Sequence, residues 1–376
     1  MSNLTNNTIS ATNDERVKNV SLIRRMFVRP ELGAICGTIA VLIFFMILAN
    51  GTSMFAPDGI LNWSTVSAQF IIVAVGVCLL MIAGEFDLSL GSMIGFAGMI
   101  LALLAVPMGL PLWLSIILTF ILCGALGALN GYLVIKTRLP SFIVTLAFLF
   151  ILRGLTIWTA ISITRETVVS GIGPLAAKDP IAWLFGGKIF SGLFRWLGDN
   201  GFLATYVKGS RAGQPIVDGL PMLIVWAIIL VIFGHFLLTR TKFGNWIYAS
   251  GGDSQAARFV GVPVDRVKIA MFVFTAFCAT ILAVSQVIEF GSAAADRGLL
   301  KEFEAVICVV IGGALLTGGY GSVVGAALGA VIFGVVQQGL FFTNVESSLF
   351  RVFLGALLLA AVVANNYVRR LITGDE

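Results

Sequence analysis

The chain has 376 residues, of which 58% are apolar and only 11% charged, with a mean hydropathy of +1.00. A soluble domain of this size has no core large enough for so much apolar surface, so the composition excludes an ordinary globular enzyme and implies an integral membrane protein in contact with the lipid bilayer. The net charge of +5 would suit nucleic acid, but in a membrane protein the placement of basic residues carries more meaning than their sum, and no nucleic-acid partner is expected.

Residues 1–30, "MSNLTNNTISATNDERVKNVSLIRRMFVRP", are polar and then basic and lack the apolar stretch of a cleavable signal, so the first span is expected to serve as its own targeting signal. A membrane-spanning helix needs roughly 20 apolar residues. Such windows recur near 33–50, 64–83, 88–108, 113–135, 141–161, 219–238, 267–289, 304–317, 322–342 and 349–365, ten in all, with the eighth the shortest. An all-α polytopic bundle of about ten transmembrane helices is therefore expected, with a short broken helix near 304–321, rather than a barrel of alternating strands. It forms one domain over 31–366, between tails 1–30 and 367–376.

With the N-terminus inside, the short inner segments hold Arg16, Lys18, Arg24, Arg25 and Arg29, then Lys136 and Arg138, then Arg240, Lys242, Arg258, Arg266 and Lys268, then Arg369 and Arg370. The short outer loops hold only Arg297 and Lys301. Lys and Arg in short loops resist translocation, so both termini are expected in the cytoplasm of a bacterial cell, with the bundle in its inner membrane. The long segment 162–218 carries six basic residues on the outer side, but long loops cross largely regardless of charge. Its "WLFGGKIFSGLFRWLGDNGF" mixes Trp183, Phe185, Phe194, Trp196 and Phe202 with glycines and isolated charges, as a helix lying in the membrane interface would.

"GGALLTGGYGSVVGAALGAVIFG" runs from Gly312 to Gly334. Glycines there interrupt a helix at membrane depth, which is tolerated only where backbone is buried in protein or lines a wet cavity. Gly321, Gly325 and Gly329 follow at four-residue spacing, the pattern that lets helices touch backbone to backbone. A similar "GSMIGFAG" begins at Gly91, so Gly-Ser-x-x-Gly opens both the third and the ninth spans.

No catalytic constellation emerges. The one histidine, His235, near the end of a span, reads as a packing or interfacial residue rather than a proton relay, and neither a metal cluster nor a nucleophile triad can be assembled around it. Cys36, Cys78, Cys123, Cys278 and Cys308 all lie in apolar spans and read as small packing residues. The phosphate-binding pattern GxxxxGK[ST] does not occur, so any ATP must be bound by another subunit, and no metal or cofactor is expected.

Ionisable residues within or beside spans call for a partner or a path, because placing them in lipid costs about 3 kcal/mol or more. Here they are Glu85, Asp87, Arg153, Glu289, Glu302 and Glu304. Glu85, Asp87 and Glu304 can cap helix N-termini or contact a substrate. Arg153, in mid-span, needs a carboxylate, a carbonyl cluster or a wet cavity. Candidates for pathway or gate are Asp87, Arg153 and Glu304, with Gly318, Gly319 and Gly321 in the glycine-rich break.

The inner loop 239–266 contains "IYASGGDSQAARFVGVPVDRVK", in which Asp253 or Ser254 can N-cap a short helix "SQAARFV", Gly261 can take the left-handed C-terminal position and Pro263 blocks continuation. Ala256, Ala257, Arg258, Phe259 and Val260 would make a small knob for a partner's groove, or else the surface of a solvated loop.

That stretch, from Gly244 to Lys268, resembles the cytoplasmic coupling segment of the monosaccharide-type permeases of ABC importers, the ribose, xylose and fructose group. "GEFDLSLGS" from Gly84, "NGYLVIKTRLPSFIVTLAFLFILRGL" from Asn130, "EFEAVICVVIGGALLTGGYGSVVGAALGA" from Glu302 and "QQGL" from Gln337 match in the same order, so the resemblance covers about residues 60–365. It implies a non-enzymatic permease domain for a pentose, hexose or related polyol, working as a pair of identical copies, with ABC ATPase subunits inside and a periplasmic sugar-binding protein outside. It also implies that Gly251, Gly252, Asp253, Ser254, Ala256, Ala257, Arg258, Phe259 and Gly261 form the ATPase-coupling element. The chain departs from similar permeases at Ala314 and Leu315 and at Gln337 and Gln338, and its outer loop is closer in length to the xylose type, so the sugar itself stays open. A self-sufficient ion-coupled transporter of a small polar solute is the alternative; it would need acids at the membrane midplane, whereas the acids are expected near span ends.

Overall fold

The computed structural model describes residues 30–206, 213–343 and scattered positions between 346 and 363. The N-terminal tail to residue 29, the tail 367–376 and most of the expected tenth span, 349–365, lie outside the described residues. In chain order the helices are α1 (Pro30–Leu48), α2 (Pro57–Ile82), α3 (Leu90–Ala105), α4 (Leu112–Thr137), α5 (Ser141–Thr164), the short α6 (Ile172–Ala176), α7 (Trp183–Gly186) and α8 (Ser191–Asp199), then α9 (Met222–Arg240), α10 (Lys242–Gly252), α11 (Ser254–Phe259), α12 (Val264–Phe290), α13 (Lys301–Ile311) and α14 (Val323–Phe342).

Proline marks the start of several long helices: Pro57 opens α2, while Pro111, Pro140, Pro221 and Pro263 immediately precede α4, α5, α9 and α12. At that position the missing N–H is one the helix would leave unbonded anyway, and the fixed φ favours the first turn. Six described helices, α2, α4, α5, α9, α12 and α14, are long and apolar enough to cross a membrane. The chain is thus a multi-pass helical bundle.

Burial sorts these helices into layers. The apolar windows of α2, α12 and α14 are 78%, 67% and 67% buried, whereas those of α4, α5 and α9 are 33%, 28% and 33% buried. The first three form the centre, and the others turn apolar side chains such as Ile121, Phe150 and Ile232 outward, as contact with lipid requires. Segment 162–218 covers the end of the bundle opposite α11. There α8 exposes Leu193 and Trp196, flanked by exposed Trp183, Phe190 and Phe202, whereas Phe185 is buried and stacks on Trp226.

Two expected spans are not continuous helices. At a rise of about 1.5 Å per residue, α3 is about 24 Å long and α13 about 16 Å, short of the roughly 30 Å hydrocarbon core. The break near 304–321 was expected; the one in the third span was not, because hydropathy runs unbroken across 88–108. Each half-helix follows an irregular segment, 83–89 before α3 and 291–300 before α13. Phe70 lies midway along α2, and the Lys301 ammonium stands 4.3 Å from the centre of its ring, so α13 begins halfway through the bundle. A side chain at Gly91 would collide with the Glu302 carboxylate, so the first turns of α3 and α13 meet at that depth.

Irregular backbone at such depth must find hydrogen bonds inside the protein. One helix, α5, provides them for both segments. Phe86 N–H donates to Ser141 Oγ and Leu88 N–H to Thr145 Oγ1, each at 3.0 Å. Further along, Arg153 donates to the carbonyls of Ala295 at 2.9 Å and Arg297 at 3.5 Å. The second segment is also tied by an antiparallel pair of short strands, β1 (Val168–Ser170) and β2 (Ser292–Ala294), which sets Val169 opposite Ala293.

Candidate coupling surface and buried charged centre

The coupling element is built as its sequence suggests at the start. Asp253 is the N-cap of α11, its Oδ1 accepting from the N–H groups of Gln255 at 2.9 Å and Ala256 at 3.0 Å. Gly261 takes a left-handed φ of +84° beyond its end. Phe259 and Val260 are 91% and 80% exposed, an apolar tip directed away from the bundle. Arg258 forms a two-bond ion pair with Asp265 in the first turn of α12.

Two expectations for this element need correction. Ala257 is not part of its surface: it is buried, because a helix of six residues has one side against the neighbouring helices and Ala257 falls on it. Gly251 and Gly252 belong to the last turn of a preceding helix, α10, capped at its start by Thr241, whose hydroxyl accepts from Gly244 N–H at 3.0 Å.

Gly251 has no room for a side chain. A Cβ there would lie 1.8 Å from the Ile82 carbonyl oxygen at the end of α2 and 2.7 Å from Gly319 N. Gly318 and Gly319, both with left-handed φ, close on Gly84, Gly251 and Gly252 from the turn between α13 and α14. Gly319 N–H donates to Ile82 O at 2.9 Å, and Tyr248 of α10 donates its hydroxyl to Gly321 O at 2.9 Å. Three chain segments thus meet backbone to backbone directly above the coupling element, and Gly318, Gly319 and Gly321 form that junction rather than a cavity wall beside the buried acids. Beyond it the small-residue spacing does what was expected: Gly325 and Gly329 abut the backbone of Gly312 and Cys308, holding α13 against α14.

The charged residues gather deeper. Glu85, one residue past Gly84, pairs with Lys268 of α12 at 2.5 Å, with only 12% and 14% of the two side chains exposed. Glu85 therefore does not cap α3. Asp87, also buried, accepts from Ser89 N–H at 2.9 Å and from Ser89 Oγ at 2.5 Å, and Asn130 of α4 donates to Ser89 Oγ at 2.9 Å. Glu304 pairs with Lys301 at 2.6 Å, one turn apart in α13, and so does not cap that helix as expected. Glu302 is 4% exposed and its Oε2 has no protein partner. The depth of Lys301 against Phe70 places Glu302 and Glu304 midway through the bundle, not at a span end.

Arg153 resolves in favour of a carbonyl cluster, the two it binds in segment 291–300. His235 is exposed on α9. Among the described residues no group of His, Cys, Asp and Glu could hold a metal ion, and the four buried cysteines lie within the packed bundle. Sequence reading did not pair Glu85 with Lys268, since Lys268 registered only as one of several basic residues on the inner side. Nor did it find the supporting hydroxyls of Ser141 and Thr145; their four-residue spacing on one helix face was the available signal.

Comparison with known proteins agrees with this architecture. Residues 59–362 match the family model for the branched-chain amino acid transport system / permease component. The chain is 33% identical over 367 residues to the xylose transport system permease protein XylH of Escherichia coli (strain K12), covering 89% of this chain and 91% of that one. It is 31% identical over 350 residues to the Haemophilus influenzae XylH, covering 86% and 92%, and 30% identical over 333 residues to the autoinducer 2 import system permease protein LsrD of Salmonella paratyphi B, covering 87% and 90%. No solved structure gives a significant match. Matched over most of its length by relatives that are themselves membrane components of transport systems, the chain belongs to this transport-system permease family.

Proposed function

We propose that the protein is the translocation subunit of an ATP-driven importer for a simple sugar, a pentose, a hexose or a related polyol, in a bacterial inner membrane. A separate pair of ABC ATPase subunits docks on α11, a periplasmic sugar-binding protein delivers substrate at the opposite end, and two copies of this chain flank the path. The observation that carries the reading is the capped helix Ser254–Phe259 with its exposed apolar tip, Phe259 and Val260. An exposed aromatic on a short rigid element is the kind of anchor a partner's groove buries. The similarity to permeases of xylose and autoinducer 2 transport systems favours a sugar-like polyol as cargo. They also favour an importer component over a self-sufficient ion-coupled transporter, although Glu302 and Glu304 lie at middle depth.

In this reading the single domain 31–366 lies between cytoplasmic tails, loop 239–266 faces the ATPase and segment 162–218 faces the binding protein. Asp87, Arg153 and Glu304 act in gating through the broken spans they adjoin. Purified protein alone in liposomes is expected neither to hydrolyse ATP nor to accumulate sugar, whereas adding the cognate ATPase and binding protein gives ATP-dependent uptake. Proton- or sodium-driven uptake by the isolated chain would overturn the proposal.

A further inference from the structure

The coupling element reaches the first broken span by two routes. One is the glycine junction, where Gly251 meets Ile82 and Gly84 through backbone contact alone. Van der Waals contact resists compression steeply, but its attraction is weak, about 0.1–0.2 kcal/mol per atom pair, so this route can push and hardly pull. The other is the Glu85–Lys268 pair. Asp265, the partner of Arg258 on α11, and Lys268 are three residues apart on α12 and so share a face. Glu85 is in the irregular segment that leads to α3, two residues before Asp87. The pair therefore joins the root of the coupling element to the leader of the half-helix, and with its charges largely withdrawn from solvent it opposes separation in a way the glycine contact does not.

We infer that Glu85 and Lys268 are positioning residues for transport, forming the link in tension that draws segment 83–89 back when the coupling element retreats, while the glycine junction drives it forward. This rests on the importer reading above, and both strokes belong to the same cycle. A purely structural pair would be replaceable by apolar isosteres, since removing both charges of a buried pair is often neutral for stability. A link in tension is not replaceable in that way.

The test uses the full complex in proteoliposomes, with sugar moved per ATP hydrolysed as the readout. The importer reading is judged first, on the wild-type complex: no ATP-dependent uptake there would refute that reading, whatever the variants do. Given wild-type uptake, the double variant Glu85→Met/Lys268→Met is expected to assemble with the ATPase, because α11 is untouched, and to lose at least about fivefold in sugar per ATP, the low end of typical coupling free energies. The reversed pair, Glu85→Lys/Lys268→Glu, restores most of it. Wild-type stoichiometry in the Met pair overturns the inference, as does an assembled reversed pair that stays uncoupled. If the Met pair does not assemble, Glu85→Cys/Lys268→Cys with the native five cysteines replaced decides: the untreated protein is uncoupled and the protein joined across the pair by a flexible bifunctional thiol reagent is recoupled, and a ratio indifferent to that crosslink refutes the link.

Discussion

Phe259 is the residue on which the partner surface turns. Burying an exposed aromatic side chain gives roughly 1.5–3 kcal/mol, and about 1.4 kcal/mol is tenfold in affinity. Phe259→Ala is therefore expected to weaken ATPase binding by about tenfold or more, read by co-purification or by titration in detergent. Arg258 already spends its guanidinium on Asp265, and an exposed pair contributes about 0–1 kcal/mol. Arg258→Ala should accordingly cost less than about fivefold. Equal losses, or a larger loss at Arg258, would show that charge rather than the aromatic tip makes the contact. The Asp253 cap and the Gly261 stop were legible in the sequence because capping is local chemistry. The burial of Ala257 was not, since which side of a short helix faces inward is decided by the helices it leans on. Gly251 hid for a similar reason: its close approach to Ile82 joins positions far apart in the chain.

The two half-helices depend on α5 for what a continuous helix would supply itself. Without Ser141 Oγ the half-buried N–H of Phe86 loses its partner, and without Thr145 Oγ1 so does that of Leu88. An unsatisfied buried donor costs about 1–3 kcal/mol. Ser141→Ala and Thr145→Val are each expected to destabilise the protein by that order, with less than additive effect in combination because both serve one segment. Thermal unfolding in detergent measures the loss, and amide hydrogen exchange at Phe86 and Leu88 should speed up ahead of the long helices. Unchanged exchange there would mean the segment is held by other contacts. Hydropathy revealed the interruption after Ile311 because glycines crowd it, whereas 84–87 read as an ordinary loop between two windows rather than a segment folded back into the bundle. The acids were misplaced for a related reason. A residue beside a hydropathy minimum looks like a span end, yet Glu302 stands beside a break at middle depth.

At the scale of the molecule, the bundle has two different ends: the coupling element at one and the aromatic segment 162–218 at the other. We propose, from the distribution of Arg and Lys, that the first faces the cytoplasm. Cysteines introduced one at a time, with the native five replaced, test this: Arg195→Cys on α8 should react with a membrane-impermeant thiol reagent in cells with a permeabilised outer membrane. Arg266→Cys beside α11 should react only after lysis, and the opposite pattern would reverse the orientation. The bundle class was readable from composition, because lipid acts on every span alike. The tolerance of the chain to changes in length is not shared so evenly. Ser141 and Thr145 stand about 6 Å apart along their helix, and two residues of extended chain, from Phe86 to Leu88, advance about 6.6 Å. Helix and extended chain are commensurate over that one interval, like two rulers that agree at a pair of marks. Deleting or inserting a residue between Gly84 and Leu90 shifts one ruler against the other and breaks both bonds together. The described part of segment 162–218 meets no such gauge along most of its course, so insertions and deletions are expected to be tolerated there, while the spacing of the leader stays fixed.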